Sequence, residues 1–283
     1  MPFTPSHAVI ALPFVRTPLV PAAVAVGAMA PDLPLFVRAG GLDYAKTHDL
    51  AWLPATILLA LALLLVWRCL LRPAVRELSP EWLASRFPRA WDRGSARALL
   101  DTFGIAAERR PGRPRRWHAS WLGIALLLLS LAIGVVSHIV WDLFTHEGRW
   151  GAEVVPALND RWGPLTGYKW LQHGSSVIGL VILAVWATIW LVKRDAAAAV
   201  IRVLPRWVRW AWWISLPVIL AAAWLNGLAA YGPLDSDFTI AHLGYRVLPP
   251  ACALWGVITL ALCVVVQVVR SMRERPPRAS REV

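Results

Sequence analysis

Long apolar runs alternate along this chain with short polar and basic segments. Five runs, near residues 51–68, 119–141, 175–192, 211–230 and 248–269, consist mostly of Leu, Ala, Val, Ile and Trp. Each is long enough to cross the ~30 Å hydrocarbon core of a bilayer as a helix. A sixth stretch, 8–31, is also apolar but carries Pro13, Pro18 and Pro21. It reads either as a further crossing or as a hairpin folding back near Arg16–Pro21. Each half of that hairpin has about ten residues, too short to span alone. The prolines at its middle favour the hairpin. The expected fold class is all-α: a polytopic transmembrane helical bundle of about five full spans plus an N-terminal helical hairpin (or sixth span).

Shorter elements fill the gaps. Thr4-Pro5-Ser6-His7 has the form of a helix start, with Thr4 capping, Pro5 at the first position and His7 in the first turn. Ser79-Pro80-Glu81 predicts another, with Ser79 as the cap. Leu99, Leu100 and Phe103 mark a short amphipathic helix, and Pro111-Gly112-Arg113-Pro114 breaks structure before the next span. No internal repeat is visible. Residues 1–270 read as a single integral membrane domain, with 72–117 as an Arg-rich cytoplasmic insertion. Residues 271–283, with Pro276-Pro277, read as a basic disordered cytoplasmic tail. The N-terminus lacks a basic start and a clear apolar core, so no cleavable signal peptide is expected.

Composition agrees with a membrane protein. The chain has 283 residues, 58% of them hydrophobic, and a mean hydropathy of +0.53, too apolar for an ordinary soluble domain. The net charge of +12 matters less than its placement. Arginines crowd 68–118, the loop from Lys193 to Arg209, and the tail from Arg270. The positive-inside rule places all three in the cytoplasm, and they alternate correctly with the spans. The C-terminus is then cytoplasmic, and loops 142–174 and 231–247 face outward. Arginines flanking spans argue for anionic membrane lipids as partners and against nucleic acid. Many of the 18 Trp residues, among them Trp52, Trp121, Trp141, Trp170, Trp207 and Trp210, fall near span ends, where the ring prefers the headgroup layer. Cys69, Cys252 and Cys263 have no CxxC spacing and read as packing residues.

The chemistry lies in histidines and carboxylates at span ends. His138 and Asp142 are four apart and share a helix face, and His146 follows four later. His48, His138, His146, His173 and His242 all fall on the side away from the arginines. If 8–31 folds back, His7 and Asp32 join them. His7, Asp32, His48, His138, Asp142 and His146 then form a nitrogen and oxygen ligand set that suits zinc or another divalent transition metal. It has more ligands than one tetrahedral ion needs, so one or two ions are expected. A hydrogen-bonding interface role is the plainer reading for His173 and His242. For His138 and Asp142 the plain alternative is a buried hydrogen bond joining two helices.

Met1-Pro2-Phe3-Thr4-Pro5-Ser6-His7-Ala8, Gly27-Ala28-Met29-Ala30-Pro31-Asp32, Ser137-His138 through Glu147-Gly148, and Leu171-Gln172-His173-Gly174-Ser175-Ser176 together resemble an uncharacterised bacterial membrane family (domain of unknown function, number 4184). The resemblance covers nearly the whole chain and implies a bacterial cytoplasmic (inner) membrane location. The order of a helix-start Thr with a nearby His, Gly-x-x-x-Pro-Asp, a lone His and His-x-x-x-Asp is more distantly similar to predicted membrane-bound metal-dependent hydrolases and to bacterial zinc-dependent phospholipase C. That likeness implies ligand roles for His7, Asp32, His48, His138 and Asp142, with His146 as a further candidate. The chain departs from the phospholipase pattern: Val177, which cannot ligate, stands four after His173. A full three-zinc site is therefore not implied.

The expected activity is metal-dependent hydrolysis at the extracytoplasmic face, on a lipid or lipid-linked phosphoester, with Asp142 or Asp32 orienting water. Two other classes stay open. A non-catalytic membrane scaffold would hold a structural metal or a hydrogen-bonded His/Asp cluster. A transporter would need polar residues at mid-membrane depth, where Asn226 is nearly the only one.

Overall fold

The computed structural model describes residues 3–37, 41–108 and 116–273. Twelve α-helices lie in the described residues: α1 Pro21–Met29, α2 Leu33–Phe36, α3 Tyr44–Thr47, α4 Leu53–Val66, α5 Arg72–Leu78, α6 Glu81–Ala84, α7 Ser95–Thr102, α8 Trp121–Thr145, α9 Trp150–Val154, α10 Gly167–Val192, α11 Arg206–Tyr231 and α12 Ile240–Arg273. Five helical stretches are long and apolar enough to cross a membrane: Leu50–Leu78, Trp121–Thr145, Gly167–Val192, Arg206–Tyr231 and Ile240–Arg273. Helices suit these sequences because backbone groups in hydrocarbon must be satisfied within their own segment. The spans match the expected five but run longer. The first continues from α4 through a π-helical turn at Trp67–Leu71 into α5, with Pro73 tolerated in the first turn of α5. α10 begins before residue 175, its first turns carrying Gln172 and His173. α8 begins where Ser120 caps it, accepting from the Gly123 N–H at 3.1 Å.

The chain groups into two compact units. Residues 1–66 and 99–194 form the first, and 67–98 with 195–283 the second. In the first unit the N-terminus folds back as a hairpin. A 3₁₀ helix, Thr4–Phe14, forms one arm and α1 the other. At 2.0 and 1.5 Å per residue the arms are about 22 and 14 Å long, and neither crosses a bilayer. The hairpin packs on α8 and α10. Two glycines make the contact with α8. A Cβ on Gly134 would stand 2.3 Å from the Val24 carbonyl oxygen, and one on Gly27 would stand 2.5 Å from that of Leu131. Only glycine allows this approach, as at close helix crossings in membranes.

Serines on the spans satisfy the open backbone ends of the hairpin. Ser130 of α8 accepts from Val20 N–H at 2.9 Å and donates to the Leu126 carbonyl. Ser176 of α10 accepts from Phe3 N–H at 2.9 Å. Ser130→Ala leaves the Val20 N–H unpaired beside a buried helix face. We expect it to destabilise the protein by about 1–3 kcal/mol, read as a lowered unfolding temperature in detergent. Thr4 does not cap as its sequence context predicts. It is the first helical residue, Phe3 occupies the cap position, and the Thr4 hydroxyl turns to Asp32.

In the second unit, α5 and α12 meet at Ala74, Leu78, Cys263 and Val266. Fully buried Glu77 accepts from the backbone N–H groups of Val203 and Leu204, both at 3.0 Å, and faces Arg209 and Arg270 at 3.8 and 3.7 Å. Arg202 donates to the carbonyls of Arg76 and Ser79, and Arg76 pairs with Asp92 at 2.6 Å. Several arginines read from the sequence as lipid partners therefore bind within the protein. Ser79 does not cap α6: Pro80 holds that position without a side-chain bond, and the Ser79 carbonyl accepts from Arg202. The amphipathic helix expected around Leu99 is α7.

Two short antiparallel strand pairs depart from a purely helical reading. β1 Ile105–Glu108 pairs with β2 Arg116–Ala119, and β3 Arg161–Trp162 pairs with β4 Leu165–Thr166. The predicted break at Pro111–Pro114 and residues 274–283 of the predicted disordered tail lie outside the described residues, whereas 271–273, assigned to that tail, continue α12.

Candidate metal centre

His138 and Asp142 sit on the face of α8 that carries Gly134, one turn before His138. The close approach at Gly134 brings the end of α1 against this face, and the Ala28 carbonyl accepts from His138 Nδ1 at 2.7 Å. Asp32 follows α1 in the tight turn Ala30–Asp32. Its Oδ2 accepts from the Thr4 hydroxyl at 2.6 Å, which ties the two hairpin arms together. Asp43 caps α3 by accepting from Ala45 N–H, and α3 ends at His48. The Thr47 hydroxyl donates to the Pro31 carbonyl at 2.7 Å. His48 Nδ1 donates to the Tyr44 carbonyl at 2.9 Å, and the Tyr44 ring packs against the imidazole at a tilt of 31°, with centroids 3.8 Å apart. His7, in the first turn of its 3₁₀ helix, lies over the His138 ring at 4.2 Å. The fold-back expected from the prolines is what delivers His7 and Asp32 to His138.

The hydrogen bonds fix the ring tautomers. With both Nδ1 atoms donating to carbonyls, the neutral rings of His48 and His138 keep only Nε2 lone pairs. These two Nε2 atoms face each other at 3.2 Å. Two acceptors at that distance need a cation between them, either a proton or a metal ion. Asp32 Oδ1 lies 3.7 and 3.6 Å from the two nitrogens, and Asp142 Oδ2 lies 3.6 Å from each. Donors bound at 2.0–2.2 Å to one tetrahedral ion stand about 3.3–3.6 Å apart. His7 Nε2 is 4.0 Å from the other Asp142 oxygen, Oδ1.

The donors form two groups of three within 4.8 Å: His7, His138 and Asp142, and Asp32, His48 and His138. His7 Nε2, Asp32 Oδ1 and both oxygens of Asp142 are buried without a hydrogen-bond partner. Buried polar atoms are costly when left unpaired, and here four of them converge. The chemistry of the set fits a divalent cation.

The other histidines play different parts. His146, the residue after α8, belongs to neither group. Its Nδ1 donates to the Asp142 backbone carbonyl at 3.2 Å, and its Nε2 accepts from the Gln172 amide at 3.4 Å. Burial holds its pKa below the ordinary imidazole value. It braces Asp142 and does not point its lone pair at the other donors. His173 is exposed on α10. His242 is exposed in the second unit, where it accepts from Thr239 N–H. Thr4, read from the sequence as a cap, and Thr47 position the cluster through their hydroxyls, and Gly134, which sequence reasoning missed, does so by close approach. A glycine one turn before His138, on the same face, was the available signal for the last.

No curated protein and no solved structure matches this chain. The profile of a family described as "Domain of unknown function (DUF4184)" matches residues 1–269. That match runs from the hairpin arm carrying His7, through every residue of the His/Asp cluster, to the last turns of α12, and the chain belongs to this family.

Proposed function

We propose that this protein is a membrane-bound metal-dependent hydrolase acting on a lipid or lipid-linked phosphoester at the extracytoplasmic face of the bacterial cytoplasmic membrane. The observation that carries the reading is the facing pair of Nε2 lone pairs on His48 and His138, 3.2 Å apart, flanked by unpaired oxygens of Asp32 and Asp142. The mixed nitrogen and oxygen set favours zinc. His138 has one free nitrogen, because Nδ1 is held by Ala28. The two donor groups share that nitrogen, so the site takes one ion. A bound ion there would acidify a coordinated water toward neutrality and polarise a phosphoryl oxygen. The protein groups do the rest. Thr4 and Thr47 hold the Asp32 and His48 segments in place, Asp142 orients water, and His7 stands beside its second oxygen to accept a proton. The arginine asymmetry along the chain supports an outward-facing site, with the C-terminus in the cytoplasm.

The His138–Ala28 hydrogen bond favours a second reading, a scaffold in which the cluster joins elements of the first unit. Elemental analysis of the detergent-solubilised protein, with hydrolysis of lipid phosphoesters assayed before and after chelation, separates the two. We expect close to one equivalent of zinc or a similar divalent ion, with turnover lost to chelator and restored by metal. Protein purified without stoichiometric metal, or turnover indifferent to chelation, sinks the hydrolase reading.

A further inference from the structure

A groove of about 530 Å³ opens beside His7 between the 3₁₀ arm, α8 and α10. Its lining runs along α10 from Trp170 and Ser175, with Trp141 facing them, to Ile178 and Ile182, and Ser6 and His7 border it from the 3₁₀ arm, Ser6 packing at Gly179. Trp141 Nε1 donates to Ser175 Oγ at 3.2 Å across the tryptophan end. Below it the walls are apolar, and Ile178 and Ile182 are 61% and 44% exposed on the outside of a membrane-crossing helix. From Trp170 to Ile182, α10 rises about 18 Å, close to the ~15 Å depth of one leaflet's hydrocarbon. His7 is the one side chain shared by the groove and the candidate metal groups.

We infer that this groove seats one acyl chain of a bilayer lipid, entering sideways from the leaflet, so that the lipid's phosphoester is carried to His7. This rests on the hydrolase reading for the fate of the headgroup, though not for the seating of the chain. Tryptophans at the mouth suit the headgroup boundary and the isoleucines suit hydrocarbon. The substrate class is thereby narrowed to phosphoesters carrying an acyl chain, and water-soluble phosphoesters are excluded.

The test uses the full chain in phosphatidylglycerol/phosphatidylethanolamine vesicles containing a phospholipid with a photoactivatable diazirine in its acyl chain. Adducts are mapped by mass spectrometry. Labelling at Val9, Ile10, Ile178 and Ile182 should exceed that at the exposed Val218 of α11 and Leu254 of α12 severalfold. Gly174→Phe fills the groove from a position where a Cβ meets nothing within 4 Å. It should cut groove labelling at least threefold and leave Val218 and Leu254 unchanged; Ile182→Trp serves if Gly174→Phe does not fold. Labelling spread evenly over all spans, or unchanged in both variants, overturns the inference. Because adducts report binding without turnover, localised labelling on protein that purifies without metal and shows no turnover when zinc is added would retain the groove and reject the hydrolase. Uniform labelling on zinc-loaded, active protein would do the reverse.

Discussion

Adding zinc to chelator-stripped protein raises its unfolding temperature by about 5–10 °C, and Asp142→Asn abolishes the rise. This is the result expected from one ion in the His/Asp cluster, on the His138 nitrogen that both donor groups share. A ligand that binds only the folded state, at a hundred times its Kd, stabilises by about 2.7 kcal/mol, and each kcal/mol moves a chain of this size by a few degrees. Asp142→Asn is the cleaner variant. It keeps the size of the side chain and removes only the negative charge that faces the His48 and His138 nitrogens at 3.6 Å. His138→Ala also abolishes metal binding, but it leaves the Ala28 carbonyl without its donor and lowers stability by about 1–3 kcal/mol with or without metal. Equal zinc shifts in wild type and Asp142→Asn would show that the cluster is a hydrogen-bonded joint alone.

The second large effect lies away from any donor atom. Gly134→Leu should undock the hairpin, cost several kcal/mol and reduce bound metal at least tenfold. Even a Cβ at this position would lie 2.3 Å from Val24 O, 2.7 Å from Ala28 N and 2.9 Å from Gly27 C. All three are backbone atoms, so no side chain can swing aside, and overpacking of this kind forces elements apart. Moving α1 carries the Ala28 carbonyl away from His138 and Asp32 away from both imidazoles. Gly174→Ala is the matched control. It places a methyl on α10 where nothing lies within 4 Å, and both stability and metal content should stay at wild-type levels. Metal content that survives Gly134→Leu would mean that the hairpin does not build the site.

The spans and the His/Asp cluster were legible because their signals are local. Uninterrupted apolar runs announce membrane helices, and His138 with Asp142 share a face by spacing alone. Pro13, Pro18 and Pro21 announced a turn, and the turn decides whether His7 and Asp32 reach the cluster. What stayed hidden depends on partners distant in sequence. Thr4 before Pro5 looks like a cap whether or not an Asp twenty-eight residues on recruits its hydroxyl. The Gly27–Gly134 contact joins segments a hundred residues apart. Buried Glu77 draws on Arg209 and Arg270, and nothing near Glu77 in sequence marks those arginines as its partners. His146 had the right spacing for a ligand, but Gln172, on another helix, claims its free nitrogen.

The serines that close the hairpin's backbone ends also impose an order on biogenesis. Val20 N–H finds its acceptor on Ser130 and Phe3 N–H on Ser176, so the hairpin settles only after segments made more than a hundred residues later. Until α8 and α10 have left the insertion machinery, the hairpin has no surface on which its backbone is satisfied in hydrocarbon. The hairpin must wait in water or at the interface while the residues between it and α10 are synthesised. The cluster is thus assembled after membrane insertion of α10, and chains arrested before that point should lack it whatever metal is supplied.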